Sequence, residues 1–330
     1  MRPFAFVEPT SLQEVIQQLA LGQGQARLIA GGSDLLGELK DDVVSYSRLV
    51  SLAGIEELRR IRDDGGGLRL GALVTITQLE YDPHLNGPYR IVAEAARSVA
   101  MPEIRAQGTL GGNLCQRPRC LYYRHALTPC LKKGGTDCPA LESPYQAYLS
   151  IMGGHGCYSV HASDLAPPLI ALGAQVSIVG PSGARDLPLE QFFSGPEQDV
   201  RRENVLAVDE VLTAVTLPPA LPGWQGTYLK GRERTAGDFP IVSVAVGYAL
   251  DAGCVRQARL VLGGSAPVPW RSPAAEGVLE GQVPSPELAA RAAAVALGNA
   301  KPLSHNAFKV QIGHALVERA ILAVASSLRG

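Results

Sequence analysis

The hydrophobic pattern of the chain starts with one well-marked helix and a short strand. Ser11 and Glu14 have the spacing of a capping box, in which Ser11 is the N-cap and Glu14 folds back on it. The apolar residues 12, 15, 16 and 19 then share one helical face. An apolar strand at residues 27–30 follows. It runs directly into two glycines.

Short apolar runs and helical spacings interleave through the rest of the chain. Strands are predicted at residues 48–52, 68–70 and 175–179, and helices at 77–81, 90–100 and 163–172. A proline-rich stretch at 217–222 indicates a boundary. Beyond it, a hairpin is predicted from strands 241–250 and 255–262, followed by helices at 286–297 and 307–326. The pattern predicts an α+β fold.

Composition and charge exclude several classes of partner. The formal net charge is −1, so no attraction to nucleic acid or to anionic membrane surfaces is expected. No apolar run is long enough for a membrane span, and the first residues lack the features of a signal peptide. We therefore expect a cytoplasmic protein, or a periplasmic one that is co-exported with a signal-bearing partner.

Two glycine-rich segments are candidates for anion binding. The first covers residues 30–35 and contains Gly31 and Gly32; the second covers residues 108–113. Consecutive glycines let backbone N–H groups approach an anion closely, because no Cβ blocks the way. Taken alone, each segment also fits an ordinary tight turn. Neither is a P-loop, since no Gly-Lys-Ser/Thr follows. Together they suggest two walls around one extended cofactor.

Five of the six cysteines lie between Cys115 and Cys157. Thiolates bind iron–sulfur clusters or zinc, and this spacing lacks the paired Cys-x-x-Cys of most zinc ribbons. Disulfides are disfavoured in a chain without an export signal. Cys254 lies apart and is interpreted as an ordinary thiol, and His161 as a structural histidine. The nearby basic residues are expected to offset the charge of a cluster: Arg117, Arg119, Arg124, Lys132 and Lys133.

Several motifs in this order resemble the FAD-binding subunit of the xanthine dehydrogenase, or molybdenum hydroxylase, family. They are the segments at 2–6, 29–34, 70–72, 108–113, 163–164, 230–234, 268–271 and 303–309. The resemblance covers nearly the whole chain. A stretch of roughly forty residues between Asn113 and Asp164 interrupts the pattern. This stretch resembles the subgroups that hold a 4Fe–4S cluster, aldehyde oxidoreductase and hydroxybenzoyl-CoA reductase.

The resemblance implies a domain organisation and a set of site residues. Residues 1–220 would form a two-part FAD-binding domain of PCMH type, with subdomains at about 1–55 and 56–220 and a cysteine-rich insertion at 114–160. Residues 221–330 would form an α+β C-terminal domain with an antiparallel sheet and helices. The implied FAD-binding residues are Leu28, Ile29, Ala30, Gly31, Gly32, Ser33, Asp34, Leu35, Thr109, Gly112, Asn113, Asp164 and Lys230. The implied cluster ligands are Cys120, Cys130, Cys138 and Cys157, with Cys115 as a non-ligand neighbour.

The same resemblance implies an electron-transfer subunit with FAD and a 4Fe–4S cluster as cofactors. Its partners would be a molybdenum-cofactor large subunit, a 2Fe–2S small subunit and an external electron acceptor, in a complex that oxidises an aldehyde or N-heterocycle. Two alternatives stay open. One is a zinc-stapled, non-redox assembly protein. The other is a stand-alone FAD oxidase of the vanillyl-alcohol type, which would bind flavin but no iron.

Overall fold

A small parallel sheet forms the N-terminal unit. The computed structural model describes residues 1–235 and 237–328. Strands β1 (Ala5–Val7), β2 (Ala26–Ile29) and β3 (Arg48–Ser51) pair in the order β1-β3-β2. Helix α1 (Leu12–Leu21) connects β1 to β2 and buries Val15 and Leu19, while helix α2 (Leu35–Lys40) follows the first glycine segment. The predicted strands near residues 27 and 48 are confirmed.

The start of α1 differs from the predicted capping box in one contact. Ser11 is the N-cap, and its Oγ accepts a hydrogen bond from the Glu14 N–H at 3.2 Å. The Glu14 carboxylate, however, accepts from the backbone N–H of Thr10 at 2.8 Å and not from that of Ser11. The predicted bond was wrong because the Glu14 carboxylate binds the N–H of Thr10, the residue before the N-cap, and leaves the N–H of Ser11.

An antiparallel sheet of five strands forms the second unit, with strand order β4-β5-β8-β6-β7. Its strands are β4 (Ile61–Asp64), β5 (Gly67–Gly71), β6 (Gln175–Gly180), β7 (Gly183–Pro188) and β8 (Val211–Leu217). Its helices are α3 (Ile76–Tyr81), α4 (Arg90–Ser98), α5 (Pro102–Gln107), α6 (Leu110–Leu114), α7 (Leu121–Arg124), α8 (Ala166–Ala171) and α9 (Pro196–Asp199). The strands predicted at 68–70 and 175–179 are confirmed.

Two predicted helices in this unit are shorter than expected. Helix α4 ends at Ser98, because Val99 is extended and Ala100 has a φ of 40°. Helix α8 begins at Ala166 and not at Ser163, because the Ser163 Oγ accepts from the Ala166 N–H at 3.0 Å. The N-cap residue of α8 is Leu165, so Ser163 lies outside the helix and its hydroxyl accepts from the first helical N–H. The segment before α8 is therefore free to approach the second glycine segment.

The C-terminal unit is a second antiparallel sheet covered by helices. Strands β9 (Gln225–Gly231), β10 (Val242–Asp251), β11 (Cys254–Gly263) and β12 (Trp270–Arg271) have the order β12-β11-β10-β9. Helices α10 (Pro273–Leu279), α11 (Pro286–Leu297) and α12 (Phe308–Ser327) complete the unit. The predicted hairpin is confirmed. Ala252 and Gly253 have φ angles of 48° and 81°, as a two-residue turn with positive φ requires.

The cores of the second and C-terminal units share residues across the proline-rich stretch. Tyr228, Ala245 and Val261 from the C-terminal sheet belong to the core of the second unit. Conversely, Ile151 and Met152, from the end of the cysteine-rich segment, are buried in the C-terminal core. The cysteine-rich segment is thus fixed at its end by packing. None of the helices in residues 1–235 and 237–328 has the length and hydropathy needed to cross a bilayer.

A buried lysine ties α12 to the end of the cysteine-rich segment. The Lys309 side chain is fully buried, and its Nζ donates at 2.7 Å to each of two carbonyl oxygens, those of Leu149 and Gly264. Burial lowers the pKa of Lys309 from its ordinary value of 10.5 to about 7. Nothing in the sequence pattern indicates that Lys309 is buried; its burial results from tertiary packing.

We expect Lys309 to make the folding stability pH-dependent. Between pH 7 and 10.5 the unfolded chain binds a proton that the folded chain has released, so this group adds stability as the pH rises through that window. The contribution changes by up to about 1.4 kcal/mol per pH unit. In Lys309→Met, urea unfolding at pH 7, 8 and 9 should show a flatter slope than in the wild type. Equal slopes in the two proteins would contradict the assignment.

Candidate functional site

The two glycine segments come into direct backbone contact. A Cβ built on Gly31 would lie 1.8 Å from the carbonyl oxygen of Gln107, the residue that precedes the second segment. Gly32 has a φ of 71°, in the left-handed region that favours glycine. The close approach depends on the missing side chain at position 31. The structure therefore brings together the two segments that the sequence analysis singled out.

A pocket of about 260 Å³ opens between these segments and the C-terminal unit. Its wall contains six of the thirteen residues expected to bind FAD, namely Ser33, Asp34, Thr109, Gly112, Asn113 and Asp164. The other seven lie outside this wall: Leu28, Ile29, Ala30, Gly31, Gly32, Leu35 and Lys230. Leu28 and Ala30 pack instead against the core of the N-terminal unit, because residues of β2 and its end point into that core.

Asp164 is the most buried carboxylate of the pocket wall. It accepts hydrogen bonds from the Tyr228 hydroxyl at 2.6 Å and from Lys230 Nζ at 2.8 Å. Lys230 also donates to the Ser98 carbonyl oxygen at 3.0 Å. Burial raises the pKa of Asp164, while the bonds from Lys230 and Tyr228 favour its ionised form. Lys230 therefore lies behind the wall and neutralises Asp164.

Asp34 connects the first glycine segment to the cysteine-rich segment. Its carboxylate accepts from the backbone N–H of Arg117 at 2.7 Å and from Arg124 Nη2 at 2.6 Å. It also pairs with Arg119 Nη2 at 3.0 Å. A carboxylate with this many donors is held firmly and is not available as a free acceptor for a ligand. Asp34 is thus an anchor for the neighbouring segment.

Four cysteines line one small cavity in the cysteine-rich segment: Cys120, Cys130, Cys138 and Cys157. Backbone N–H groups of Tyr122 and Tyr123 lower the pKa of the Cys120 thiol, and those of Ala140 and Tyr158 lower that of Cys138. Backbone N–H groups directed at cysteine sulfur are typical of iron–sulfur sites, where they tune the reduction potential. The tertiary structure thus gathers four thiols from a segment of nearly forty residues.

Cys115 lies apart from these four and does not line their cavity. It packs against the core of the second unit. Burial raises the pKa of Cys115 to about 12, which favours a protonated, inert thiol. Burial also raises the pKa of Cys120, to about 11, although the N–H groups of Tyr123 and Tyr122 lower it. Metal binding at Cys120 would have to displace that proton.

In the part of the chain that the structure describes, no group of three or more His, Cys, Asp or Glu side chains is arranged to hold a metal ion. A tetrahedral zinc site needs four ligand atoms within about 2.0–2.3 Å of one ion. The four cysteines line a shared cavity, and this finding does not choose between a zinc ion and an iron–sulfur cluster.

The basic residues near the cysteines are mostly paired with carboxylates and are not directed at the thiols. Arg117 pairs with Glu203, and Lys132 pairs with the same carboxylate at 2.7 Å. Of the five basic residues, Lys132 alone contributes to the cavity wall. The expectation that all five offset cluster charge stays a prediction, although four of them are already paired with Glu203 or Asp34.

Tyr123 extends this network into the N-terminal unit. Its hydroxyl donates to Glu38 on α2, and Arg117 Nε donates to the same hydroxyl at 2.8 Å. Glu38, Tyr123 and Glu203 are all buried. The cysteine-rich segment is therefore attached by polar contacts to both parts of the predicted FAD-binding domain.

Several residues of the pocket wall were not predicted from the sequence. Arg119, Gln116, Met101, Asp238 and Phe239 all line it. Arg119 was noticed only as a charge near the thiols. Nothing in the local pattern indicates that its side chain turns toward the glycine segments. His161 fits its structural interpretation: it is buried, its Nε2 lies 3.3 Å from the Leu114 carbonyl oxygen, and burial lowers its pKa to about 4.

Comparisons with known proteins agree with this arrangement. Residues 2–220 match the family described as "FAD binding domain in molybdopterin dehydrogenase". Residues 227–324 match the "CO dehydrogenase flavoprotein C-terminal domain". The chain is 35% identical over 256 residues to the aldehyde oxidoreductase FAD-binding subunit PaoB of Escherichia coli strain K12. That match covers 77% of this chain and 79% of the relative.

Further similarity extends over the full length. The carbon monoxide dehydrogenase medium chain of Hydrogenophaga pseudoflava is 26% identical over 91% of this chain and 88% of its own. The structure of quinoline 2-oxidoreductase from Pseudomonas putida 86 aligns with a TM-score of 0.78 at 27% identity, covering 100% of this chain and 99% of that one. The α+β fold with an FAD-binding part and a C-terminal domain is confirmed. The chain belongs to the FAD-binding subunits of the molybdenum hydroxylase family of oxidoreductases.

Proposed function

We propose that this chain is the FAD- and 4Fe–4S-containing electron-transfer subunit of a heterotrimeric molybdenum hydroxylase, an aldehyde oxidoreductase in type. In this proposal a molybdenum-cofactor large subunit oxidises the substrate, and a 2Fe–2S small subunit passes the electrons to this chain. The chain then delivers them to an external acceptor. Its compartment, cytoplasm or periplasm, is that of its partners.

The observation that carries the proposal is that four cysteines line one cavity, while the two glycine segments line a separate pocket. Ser33, Thr109, Gly112 and Asn113 would hold FAD in the pocket between the glycine segments. Bound FAD accepts two electrons and releases them singly. The chain contributes neutral donors and a closely packed backbone. The Asn113 side chain is oriented by Ser163, whose Oγ donates to Asn113 Oδ1 at 2.5 Å.

The cluster part of the proposal depends on the four cysteines. Cys120, Cys130, Cys138 and Cys157 would each supply one thiolate, because they line the same cavity and Cys115 does not. The resemblance of this segment to that of subunits holding a 4Fe–4S cluster, and the absence of paired Cys-x-x-Cys spacing, support a cluster over a zinc ion. The aldehyde substrate is inferred from the 35% identity to an aldehyde oxidoreductase subunit.

The test is the composition of the purified complex. Co-expression with candidate large and small subunits should yield three polypeptides that purify together, and this chain separated from them should retain flavin absorbance and about four irons. A colourless chain with stoichiometric zinc would support the zinc-stapled alternative. Flavin without iron, and full turnover by the chain alone, would support the stand-alone oxidase. Either result would overturn the proposal.

A further inference from the structure

Arg119 lies between the cysteine cavity and the glycine-segment pocket. It immediately precedes Cys120, which lines the cysteine cavity, while its own side chain lines the pocket with Ser33 and Gly108. Two residues of the cysteine-rich segment, Gln116 and Arg119, thus form part of the pocket wall, and Arg119 is the charged one. A chain without this segment would have no Arg119 to place there.

The charges of the pocket wall make Arg119 distinctive. Three carboxylates line the pocket, those of Asp34, Asp164 and Asp238. Within the described part of the chain, Arg119 is the only lysine or arginine on that wall. An anionic ligand would be repelled by the carboxylates unless each were neutralised and a further positive charge faced the ligand.

The carboxylates are neutralised by other residues. Asp164 pairs with Lys230 at 2.8 Å, and Asp238 with Arg234 at 3.2 Å. Asp34 pairs with Arg124 at 2.6 Å as well as with Arg119. Because Arg124 already offsets the charge of Asp34, Arg119 leaves the pocket with one surplus positive charge.

The guanidinium of Arg119 is held in place by neighbouring residues and still has one N–H group without an acceptor within residues 1–235 and 237–328. Its Nη2 contacts Asp34 at 3.0 Å and Gln116 Oε1 at 3.2 Å, and its Cζ lies 5.2 Å from the ring centroid of Phe239. The Nε atom is buried and has no hydrogen-bond partner among the described residues. A buried donor without an acceptor is costly, so an incoming anionic oxygen would relieve that cost.

We propose that Arg119 binds the diphosphate of the flavin dinucleotide, so that the cysteine-rich segment supplies part of the flavin site. This inference rests on the proposed function, because it assumes that the pocket takes FAD. It assigns to Arg119 a binding role in addition to any effect on the thiols. An arginine suits the task, because its planar donors match phosphate oxygens and it stays charged.

The experiment compares two flavins in flavin-depleted complex. FAD carries the diphosphate and riboflavin does not, and the binding of each is followed by quenching of flavin fluorescence. In Arg119→Met we expect the affinity for FAD to fall by about 10- to 100-fold, the range for losing a charge-assisted hydrogen bond. The affinity for riboflavin should change by less than about threefold. Iron content should equal that of the wild type.

Matched variants separate binding from folding. Arg119→Lys keeps the charge and should restore part of the FAD affinity. Arg124→Lys alters the other arginine on Asp34 but not the pocket wall, and should leave the ratio of FAD to riboflavin affinity unchanged. If Arg119→Met weakens both flavins equally, or neither, the diphosphate role is wrong. If the wild type binds no FAD, the proposed function itself fails, and this outcome is distinct from the others.

Discussion

Replacing any one of the four cavity cysteines by serine is expected to remove the iron of this chain. In the assembled complex, iron should fall by about four atoms relative to the wild type. The reason is that serine oxygen is a harder and poorer ligand for iron than thiolate sulfur, and a cluster with three protein ligands is readily lost. The variants are Cys120→Ser, Cys130→Ser, Cys138→Ser and Cys157→Ser. Iron analysis and low-temperature EPR provide the measurement.

Cys115→Ser is the matched control for these variants. Cys115 belongs to the same segment but packs against the core of the second unit and does not line the cavity. We expect its iron content to stay within error of the wild type, with a loss of stability of about 1 kcal/mol from a polar atom in an apolar site. Loss of iron in Cys115→Ser together with retention in Cys157→Ser would show that the ligand assignment is wrong.

Gly31→Ala should abolish flavin binding and destabilise the protein. The added methyl group would lie 1.8 Å from the Gln107 carbonyl oxygen, so the two glycine segments could no longer touch. Because the clashing atom is backbone, relief requires a shift of one segment, and overpacking of this kind costs about 1–3 kcal/mol or more. Flavin per chain and the urea midpoint are the quantities to measure.

Gly37→Ala tests the same substitution a short distance along the chain. Gly37 lies inside α2, and a Cβ there would have nothing within 4 Å. We expect full flavin content and a gain of about 0.5–1 kcal/mol, because alanine favours a helix interior over glycine. If Gly31→Ala behaves like Gly37→Ala, the contact between the glycine segments does not shape the pocket.

The segments with strong local signals were predicted well. The apolar spacing after Ser11 gave α1, and the turn after Asp251 gave the hairpin, because capping groups and positive-φ turns act within a few residues. Where prediction failed locally, a competing short-range bond decided the outcome. The Glu14 carboxylate binds the N–H of Thr10 and not that of Ser11, and the Ser163 hydroxyl binds the first N–H of α8 from outside the helix.

The candidate site was predicted in part. The glycine segments stood out because consecutive glycines let backbone N–H groups approach an anion closely, and the structure brings the two segments together. The resemblance to known subunits named thirteen residues, of which six line the pocket. Lys230 lies behind Asp164, an arrangement that no motif shows, since it depends on where β9 passes the segment before α8.

The sequence by itself determined the α+β class, the antiparallel hairpin, the two glycine segments and the clustering of five cysteines in one stretch. Only the tertiary structure decided which cysteines share a cavity, why Lys309 is buried, and which side of the fold Arg119 faces. The physical reason is the distance along the chain over which each kind of interaction acts. Caps, turns and periodicity depend on neighbours in the chain, whereas the place of a charge depends on which distant carboxylate, carbonyl or ring it meets. Arg119 pairs with Asp34, which lies 85 positions earlier, and no local sequence pattern predicts that contact.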